Sequence, residues 1–293
     1  VPEIYKLCYL SYSGSTYLKF GTNCVLSQEG AQQGDPLGPL LFCLAIHPML
    51  TSLSSQLVLG YLDDITLGGN ETQLELDVQK VRSQGELLGL KLNESKCEFA
   101  NYQGTPSSEF FTNFIHLFPS NTSLLGAPLT TGKAMDHALQ ERCNDLRRVI
   151  DRLKLVSAHD ALIILRSSFS TPKILHTLRS SPCALHPALQ TFDDLLKLGI
   201  TEVTNLDLSE DHWSQASLPV KDGGLGIRRA VSLAPSAFLA SAANTLNLQE
   251  LILANSMTTL QDSAVTRLRQ WWTTTFNSAC PSHPLSLKQS AWD

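Results

Sequence analysis

The chain has 293 residues, of which 43% are hydrophobic and 17% are charged, so it has the composition of a globular protein that buries a substantial core. Its length predicts one large domain or, more often, two smaller ones. The net charge of −5 at pH 7 argues against a generic nucleic-acid-binding protein, because Lys and Arg make most contacts with phosphate groups.

The sequence has no run of about 18 apolar residues and no charged segment followed by an apolar one at its start. We therefore expect an intracellular protein, nuclear or cytoplasmic, with no membrane partner. Val1 is not the methionine of a complete translation product, which predicts a fragment or a processed piece.

The seven cysteines are scattered and form no C-x-x-C pair. A disulfide framework or a zinc finger is therefore not expected, no disulfide partner is expected either, and buried free thiols are favoured. Cys280 and His283 are close in sequence, but two ligands without others make a poor metal site.

The charge is unevenly distributed along the chain. Residues 130–180 carry 9 Lys and Arg against 5 Asp and Glu, whereas residues 1–129 carry 6 against 12 and residues 181–293 carry 7 against 10. A basic stretch therefore lies between two acidic neighbours.

The first predicted elements come before residue 51. Residues 4–29 predict a helix or irregular segment that leads into a short strand or hairpin. In the segment G-D-P-L-G-P-L-L-F that begins at Gly34, Asp35 is expected to cap a helix and Pro36 to be its first residue. The following residues are apolar nearly all round, which predicts a helix buried against a sheet, with Pro48 kinking or tightening its second half.

The segment L-V-L-G-Y-L-D-D-I-T-L-G at residues 57–68 predicts two short strands joined across Asp63 and Asp64. Asn70 and Gln73 then form a capping pair for a helix that ends at Gly89. A loop and a strand are expected next, and after them a short apolar piece interrupted by a turn.

From about residue 130 the pattern becomes helical. One apolar face recurs at helical spacing between Ala138 and Leu153, and arginines occupy the rest of that helix, where charges are most often simply solvated. A Gly-rich turn at residues 222–226 precedes an Ala-rich helical stretch from about 230 to 270. Trp271 and Trp272 favour core packing over stacking on bases.

Asp63 and Asp64 are adjacent carboxylates at the expected tip of a hairpin. Aspartate is common in turns because its side chain hydrogen-bonds to the nearby backbone, so the pair has a structural explanation. The other explanation is metal binding, since hard divalent cations prefer carboxylate oxygens. The surrounding motifs favour the second explanation.

Two motifs together resemble the reverse transcriptase family, and within it the enzymes of non-LTR retrotransposons. G-A-Q-Q-G-D-P-L-G-P-L-L-F at residues 30–42 is similar to the family's G-x-x-Q-G-x-P-L-x-P-L-L-F segment, which precedes a helix of the palm. Y-L-D-D at residues 61–64 is similar to the Y-x-D-D of the palm hairpin. The order and the spacing of the two motifs also agree with the family.

The resemblance implies roles for these residues. Asp63 and Asp64 are the catalytic acids and hold Mg²⁺ or Mn²⁺, with two ions in the complete enzyme and Asp63 as the closer ligand. Gln33, Gly34 and Tyr61 are expected to contact the template or the nucleotide.

The resemblance extends to about residue 180. G-L-K-L-N-E-S-K-C at residues 89–97 is similar to the family's next palm motif and implies that Lys96 lies near the incoming nucleotide. Leu125 and Gly126 are similar to the short element that supports the primer end. The basic helical block lies where the family has its thumb, which clamps the template–primer duplex. The residues implied in that contact are Arg142, Arg147, Arg148 and Arg152.

The family also needs an aspartate from a strand well before the first motif, whereas only 29 residues precede Gly30 here. Glu3 and Glu29 are the acids in that stretch, and neither lies in an apolar strand. We therefore expect the first catalytic aspartate, the aromatic sugar gate beside it and the fingers to be absent from this chain. The chain alone is expected to be inactive, because a single carboxylate patch holds a metal too loosely to align the reacting groups.

The overall prediction is an α+β fold that turns α-helical beyond about residue 130. A partial palm, with a small antiparallel sheet and packed helices, is expected over residues 1–129, a thumb-like helical region over 130–200 and a C-terminal helical extension over 201–293. The expected function is part of an RNA-directed DNA polymerase that uses an RNA template, a DNA primer and deoxynucleotides.

Two alternatives stay open. One is a degenerate remnant or nucleic-acid-binding scaffold that keeps the fold without the chemistry. The other is a viral RNA-dependent RNA polymerase, which is disfavoured because those enzymes usually carry G-D-D at the hairpin.

Overall fold

The computed structural model describes residues 2–28, 30–31, 34–102, 104, 108–253 and 263–293. Among these residues the chain is α+β, with ten α-helices and four two-stranded sheets. It divides into two compact units. Unit 1 comprises the described residues within 1–97, 107–114 and 252–257, and unit 2 those within 98–106, 115–251 and 258–293.

Unit 1 contains three helices and two antiparallel hairpins, in which each strand pairs with the next one along the chain. Each hairpin joins two strands that are adjacent in the chain, so the strand pairing is local. The elements in chain order are α1 (Pro2–Tyr12), β1 (Thr16–Phe20), β2 (Asn23–Ser27), α2 (Gly38–Thr51), β3 (Leu57–Tyr61), β4 (Asp64–Gly68) and α3 (Glu71–Leu87).

A small apolar cluster forms the core of unit 1. Ile46 and Met49 of α2 and Val81 of α3 are buried in it, and Ile65 of β4 packs against them. The prediction of a helix buried all round is wrong for α2, because Leu40 and other residues on its opposite side stay exposed. α1 has no buried residue, and β1 and β2 are almost entirely exposed.

The start of α2 lies later in the chain than predicted. The helix begins at Gly38, so Asp35 and Pro36 precede it, and the prediction that they form its cap and first position is wrong. Asp35 instead accepts a hydrogen bond from the Leu37 N–H at 2.9 Å, which closes a turn before the helix. Pro39 lies in the first turn, where it removes no intrahelical hydrogen bond.

α3 follows the sequence prediction. The Asn70 side chain accepts a hydrogen bond from the Gln73 N–H at 2.8 Å and caps the first turn. The helix ends at Leu87, and Gly89 follows with φ +74°, the left-handed conformation that commonly ends helices.

Unit 2 begins with two small sheets and is otherwise helical. β5 pairs with β6 in parallel, and β7 pairs with β8 in a tight antiparallel hairpin. A π-helical turn over Leu165–Phe169 joins α5 to α6. The elements are β5 (Glu98–Ala100), β6 (Ile115–Leu117), β7 (Ser123–Leu124), β8 (Ala127–Pro128), α4 (Lys133–Leu153), α5 (Ala158–Ile164), α6 (Thr171–Ser180), α7 (Ala188–Thr204), α8 (Glu210–Ala216), α9 (Ala230–Ile252) and α10 (Ser263–Phe276).

One extensive apolar cluster forms the core of unit 2. α4 contributes a buried stripe at three- and four-residue spacing, as predicted, although Ala138 and Val149 lie at its edges and are only partly buried. α7 packs closely on α4, since a Cβ added at Gly199 would lie 3.0 Å from the Ile150 side chain. Trp272 is buried and Trp271 is partly buried against the same cluster, which confirms core packing for both.

The Gly-rich turn has a packing role. A Cβ added at Gly224 would lie 2.1 Å from the backbone oxygen of Leu218, so a side chain has no room there. Gly223 and Gly226 have φ values of +82° and +73°, which favour glycine, and Ile227 is fully buried.

All seven cysteines are free thiols. Cys143 and Cys183 are buried, as predicted, but Cys24 and Cys43 are exposed, so the expectation of buried thiols is wrong for these two. The helices within the described ranges are each too short or too polar to span a lipid bilayer.

Candidate functional site

The two adjacent carboxylates lie at the tip of the β3–β4 hairpin. Tyr61 pairs with Asp64, so the loop consists of Leu62 and Asp63 and lies one residue earlier than predicted. Asp63 is therefore in the turn and Asp64 is the first residue of β4, which makes the two carboxylates inequivalent.

The turn at the hairpin tip is strained. Leu62 has φ +55°, in the left-handed region that costs a residue other than glycine about 1–2 kcal/mol. Two-residue hairpin loops favour glycine, asparagine or aspartate where φ is positive. Residues in this conformation cluster at functional sites and persist where the surrounding structure holds them in place, although two-residue hairpins such as β7–β8 also contain them.

The side chains at the tip are open to solvent. Tyr61 is 61% exposed, and Asp63 and Asp64 are exposed as well. In the part of the chain that the structure describes, none of the three side chains forms a hydrogen bond or an ion pair. Both carboxylates are therefore available to a ligand from solution.

The body of the hairpin is packed on the core of unit 1. Gly60 of β3 lies beneath α2, where an added Cβ would be 2.6 Å from Cδ1 of Leu50. Ile65 on β4 packs against the α2–α3 cluster. The tip is thus exposed on a hairpin whose base is held in place.

A buried carboxylate fixes the segment that leads into β3. Asp77 of α3 is fully buried and accepts hydrogen bonds from the backbone N–H groups of Ser54 and Ser55 at 2.8 and 2.6 Å. It also accepts from the Ser55 hydroxyl at 2.7 Å and from the Gln73 side chain at 3.1 Å. Burial raises the pKa of Asp77, but these hydrogen bonds together outweigh it and leave the pKa below its usual value.

Asp77 is not among the residues predicted from the sequence. The available signal was its position, since it lies between Leu74 and Val81 on the apolar face of α3. A carboxylate on such a face must find hydrogen-bond donors, because burying it without them is costly.

The glycine-rich segment before α2 is partly described. Gln33 lies outside the described residues. Gly34 has φ +89°, and nothing lies within 4 Å of the position that a Cβ would take. Beside it, the Tyr12 hydroxyl and the Leu37 N–H donate to the carboxylate of Asp35 and lower its pKa.

Lys96 is exposed at the end of the short 3₁₀-helix Glu94–Lys96. Within the described ranges it forms no ion pair, whether with Asp63, with Asp64 or with another acid. Its contact with a nucleotide stays a prediction.

Asp63 and Asp64 offer the donor chemistry that Mg²⁺ and Mn²⁺ prefer. Among residues 2–28, 30–31, 34–102, 104, 108–253 and 263–293, no group of three His, Cys, Asp or Glu side chains is arranged to hold a metal ion. The hairpin therefore offers such an ion two carboxylate ligands. Water and substrate phosphates commonly complete the coordination of Mg²⁺.

The other predicted residues lie in unit 2. Leu125 and Gly126 form the two-residue loop of the β7–β8 hairpin, with φ values of +48° and +77°. Positive φ at both positions is the pattern of a type I′ turn, which matches the twist of its strands.

Two of the predicted arginines are paired on their own helix. Arg142 and Arg148 of α4 both contact Asp145, the former at 3.6 Å. Lys173 of α6 lies 3.3 Å from the same carboxylate. The hydrogen bond from Arg148, with support from the other two cations, holds the pKa of Asp145 below its usual value.

The remaining two arginines differ from each other. Arg147 donates to the Asn144 side chain at 2.9 Å, whereas Arg152 is exposed and forms no hydrogen bond or ion pair with the described residues. α4 contains five Lys and Arg and four Asp and Glu, so its net charge is only about +1. Its contact with a nucleic acid stays a prediction.

Comparisons with known proteins agree with the hairpin motif. Residues 4–141 match the family described as "Reverse transcriptase (RNA-dependent DNA polymerase)". The chain is 26% identical over 230 residues to the "Retrovirus-related Pol polyprotein from type-2 retrotransposable element R2DM" of Drosophila melanogaster. That alignment covers 71% of the chain and 21% of the relative. The chain is 25% identical over 216 residues to the "Retrotransposable element SLACS 132 kDa protein" of Trypanosoma brucei gambiense, with 71% and 18% covered. The chain spans about a fifth of the length of these relatives.

Proposed function

Because the chain carries a reverse transcriptase domain of the non-LTR retrotransposon type over residues 4–141, we propose that its β3–β4 hairpin is part of the active site of an RNA-directed DNA polymerase. The observation that carries this proposal is the tip itself. Two carboxylates at the family's Y-x-D-D position are exposed and unpaired among the described residues, on a strained turn with an anchored base.

The proposed architecture follows the family. Residues 1–129 are a partial palm, residues 130–200 a thumb-like region and residues 201–293 a helical extension. The hairpin and Gly34 belong to the palm. The exposed Arg147 and Arg152 of α4, which form no ion pair with a described acid, suit a thumb that contacts the phosphates of a template–primer duplex.

The proposed reaction is template-directed nucleotidyl transfer. Asp63 and Asp64 would hold the divalent cations, and bound Mg²⁺ or Mn²⁺ supplies positive charge where the attacking 3′-hydroxyl and the leaving pyrophosphate become negative. Tyr61 and Lys96 would contact the nucleotide, the lysine through its phosphates. The conformation of Gly34 and the open space beside it would let a template or nucleotide approach the backbone closely.

We also propose that this 293-residue chain does not extend a primer by itself. The hairpin supplies two carboxylates, and no third ligand joins them in the described ranges. An in-line attack needs the reacting atoms aligned at about 3–3.5 Å, and a cation bound by one patch of ligands does not hold them in that geometry.

Metal-dependent nucleotide binding tests the proposal. A fluorescent deoxynucleotide is titrated with the chain in the presence and absence of Mn²⁺, and binding is expected to need the metal and to be lost in Asp63→Asn. Binding that is the same without metal, or the same in Asp63→Asn, would contradict the polymerase assignment and favour a nucleic-acid-binding scaffold.

Primer extension tests the second part. With an RNA template, a DNA primer and deoxynucleotides, the isolated chain is expected to add no nucleotide. Extension that disappears in Asp63→Asn would overturn the proposed inactivity while supporting the assignment of the reaction.

A further inference from the structure

A cleft in unit 2 is lined by two arginines and by no described carboxylate. It has a volume of about 550 Å³. Arg179, at the end of α6, and Arg267, on α10, supply its positive charge. The remaining polar lining consists mainly of hydroxyl groups, among them those of Thr130 and Thr245. In a chain with a net charge of −5, two arginines without a described carboxylate beside them favour an anion over a cation in this cleft.

Both guanidinium groups have donors to spare. Arg179 donates to the neutral Gln289 side chain at 3.2 Å, and Arg267 donates through Nε to the Ser263 backbone oxygen at 3.3 Å. Neither forms an ion pair with an acid in the part of the chain that the structure describes. Each guanidinium has five N–H donors in a planar fork, which suits the oxygens of a phosphate group.

An apolar cavity of about 260 Å³ adjoins the cleft. The two share Arg267 and Phe238, so the guanidinium lies at their junction. Leu185, which is 64% exposed, and Leu268 are among the other apolar residues that line this second cavity. A cationic, hydroxyl-rich part is therefore continuous with an apolar part of about half its volume.

We propose that this composite cleft binds single-stranded nucleic acid, with backbone phosphates at Arg179 and Arg267 and an adjacent base in the apolar part beside the exposed Leu185. A nucleotide has the same division into an anionic phosphate and an apolar base. A duplex does not suit the site, because its bases are stacked and paired, whereas a single strand can turn a base out onto apolar and aromatic side chains.

Binding at this cleft is separate from the proposed polymerase chemistry and does not depend on it. The cleft contains none of the residues of the β3–β4 hairpin, and Arg179 and Arg267 come from helices that are far apart in sequence. No motif in the sequence joins them.

The test is fluorescence anisotropy of a short labelled single-stranded oligonucleotide, at several salt concentrations and without metal or deoxynucleotides. Replacing both arginines, in Arg179→Gln/Arg267→Gln, is expected to weaken binding about tenfold or more and to lower the slope of affinity against salt by about 0.7 for each phosphate that is no longer neutralised. Both side chains are exposed, so the variant should fold, and unchanged tryptophan fluorescence would confirm it.

The control removes two positive charges elsewhere. Lys19 and Lys221 are exposed, do not line the cleft and form no ion pair with described residues, so Lys19→Gln/Lys221→Gln is expected to change the affinity less than twofold. An equal loss of affinity in both double variants, or none in Arg179→Gln/Arg267→Gln, would overturn the proposal.

Two further ligands test the separate halves of the site. A strand of the same length with abasic residues keeps the phosphates, and it should bind several-fold more weakly if the apolar part takes a base. Inorganic phosphate should compete only weakly with the intact strand. Equal affinity for the abasic strand, or displacement by phosphate at the affinity of the strand itself, would overturn the assignment to nucleic acid. Because the assay needs neither metal nor catalysis, its failure leaves the polymerase proposal standing.

Discussion

Unit 1 and unit 2 differ in how they bury apolar residues. In unit 2, seven helices contribute to one cluster in which residues such as Phe192 and Leu196 are fully buried. In unit 1 the main cluster has only Ile46, Met49 and Val81 as buried members among the described residues, and large apolar residues of α1, β1 and β2 face solvent. The carboxylate hairpin thus belongs to the less well packed unit, where local turns, a cap and one buried acid fix the backbone.

This difference can be measured because all four tryptophans lie within residues 213–292. Tryptophan fluorescence therefore reports the unfolding of unit 2, whereas hydrogen exchange of α2 and α3 reports unit 1. We expect α2 and α3 to exchange at lower denaturant concentrations than those that change the fluorescence, because less buried apolar surface means less stability.

The largest effect is expected in the core of unit 2. Phe192→Ala removes a fully buried ring and should lower the free energy of unfolding by about 3–5 kcal/mol, measured by tryptophan fluorescence in denaturant. Phe118→Ala is the control, since Phe118 also belongs to unit 2 and is 76% exposed, and it should change the free energy of unfolding by less than about 0.5 kcal/mol. Similar decreases in the two variants would contradict the described burial.

Asp77→Ala should have the next largest effect, and it should act on unit 1. The change leaves the N–H groups of Ser54 and Ser55 without their acceptor, which costs about 3 kcal/mol. Hydrogen exchange of β3 and α3 should speed up, and the fluorescence transition should not move. The control is Gln79→Ala on the exposed face of the same helix. A shift of the fluorescence midpoint in Asp77→Ala would show that the two units do not unfold as described.

Among the described residues two aspartates are buried, Asp77 on α3 of unit 1 and Asp193 on α7 of unit 2, and they predict opposite responses to acid. Burial raises the pKa of Asp193 to about 6, despite hydrogen bonds from the N–H groups of Val231 and Ala230. Between its unfolded value of 3.8 and about 6, the folded state binds a proton that the unfolded state does not. The contribution of this group to the stability of unit 2 is therefore greatest below about pH 4 and falls by at most about 3 kcal/mol as the pH rises past 6.

Asp77 has a lowered pKa, so its contribution is present at neutral pH and is lost as the pH falls through its folded pKa. Denaturant unfolding of the chain and of Asp193→Asn between pH 4 and 7 checks the first response. The difference in stability between the two proteins should change with pH in that window. A constant difference would mean that Asp193 does not titrate there.

The smallest effect concerns two strained leucines, one in each unit. Leu62→Gly should stabilise unit 1 by about 0.5–1 kcal/mol, because the relief of positive φ outweighs the added flexibility of the unfolded chain. Leu125→Gly makes the same change in unit 2, where φ is +48°. Each variant should slow hydrogen exchange in its own unit only. Destabilisation in both would show that neither turn is strained.

Local chemistry made much of this structure predictable. The carboxylate hairpin, the Asn70 cap and the buried stripe of α4 all depend on residues within one or two turns of each other. The predicted start of α2 was wrong, because Asp35 and Pro36 suit a helix start and a preceding turn equally well. The exposure of α1 and of the first hairpin could not be foreseen, since an apolar pattern does not reveal which surface remains uncovered.

Tertiary contacts determine the rest. The role of Asp77 depends on a segment more than 20 residues before it, and the spacing of apolar residues on α3 says nothing about that segment. The composite cleft joins helices whose sequences carry no shared motif. The metal assignment itself came from a resemblance, because two adjacent aspartates also suit an ordinary turn.

Manganese binding measured by electron paramagnetic resonance tests the central claim most directly, because it needs no nucleotide and no activity. The chain is expected to bind Mn²⁺ weakly, since two carboxylates and water would hold the ion, and Asp63→Asn or Asp64→Asn should weaken binding about tenfold. Asp211→Asn is the matched control, since Glu210 and Asp211 are also adjacent exposed acids, in the first turn of α8. Equal manganese binding by the unaltered chain and by Asp63→Asn, or equal weakening in Asp63→Asn and Asp211→Asn, would contradict a metal site at the hairpin.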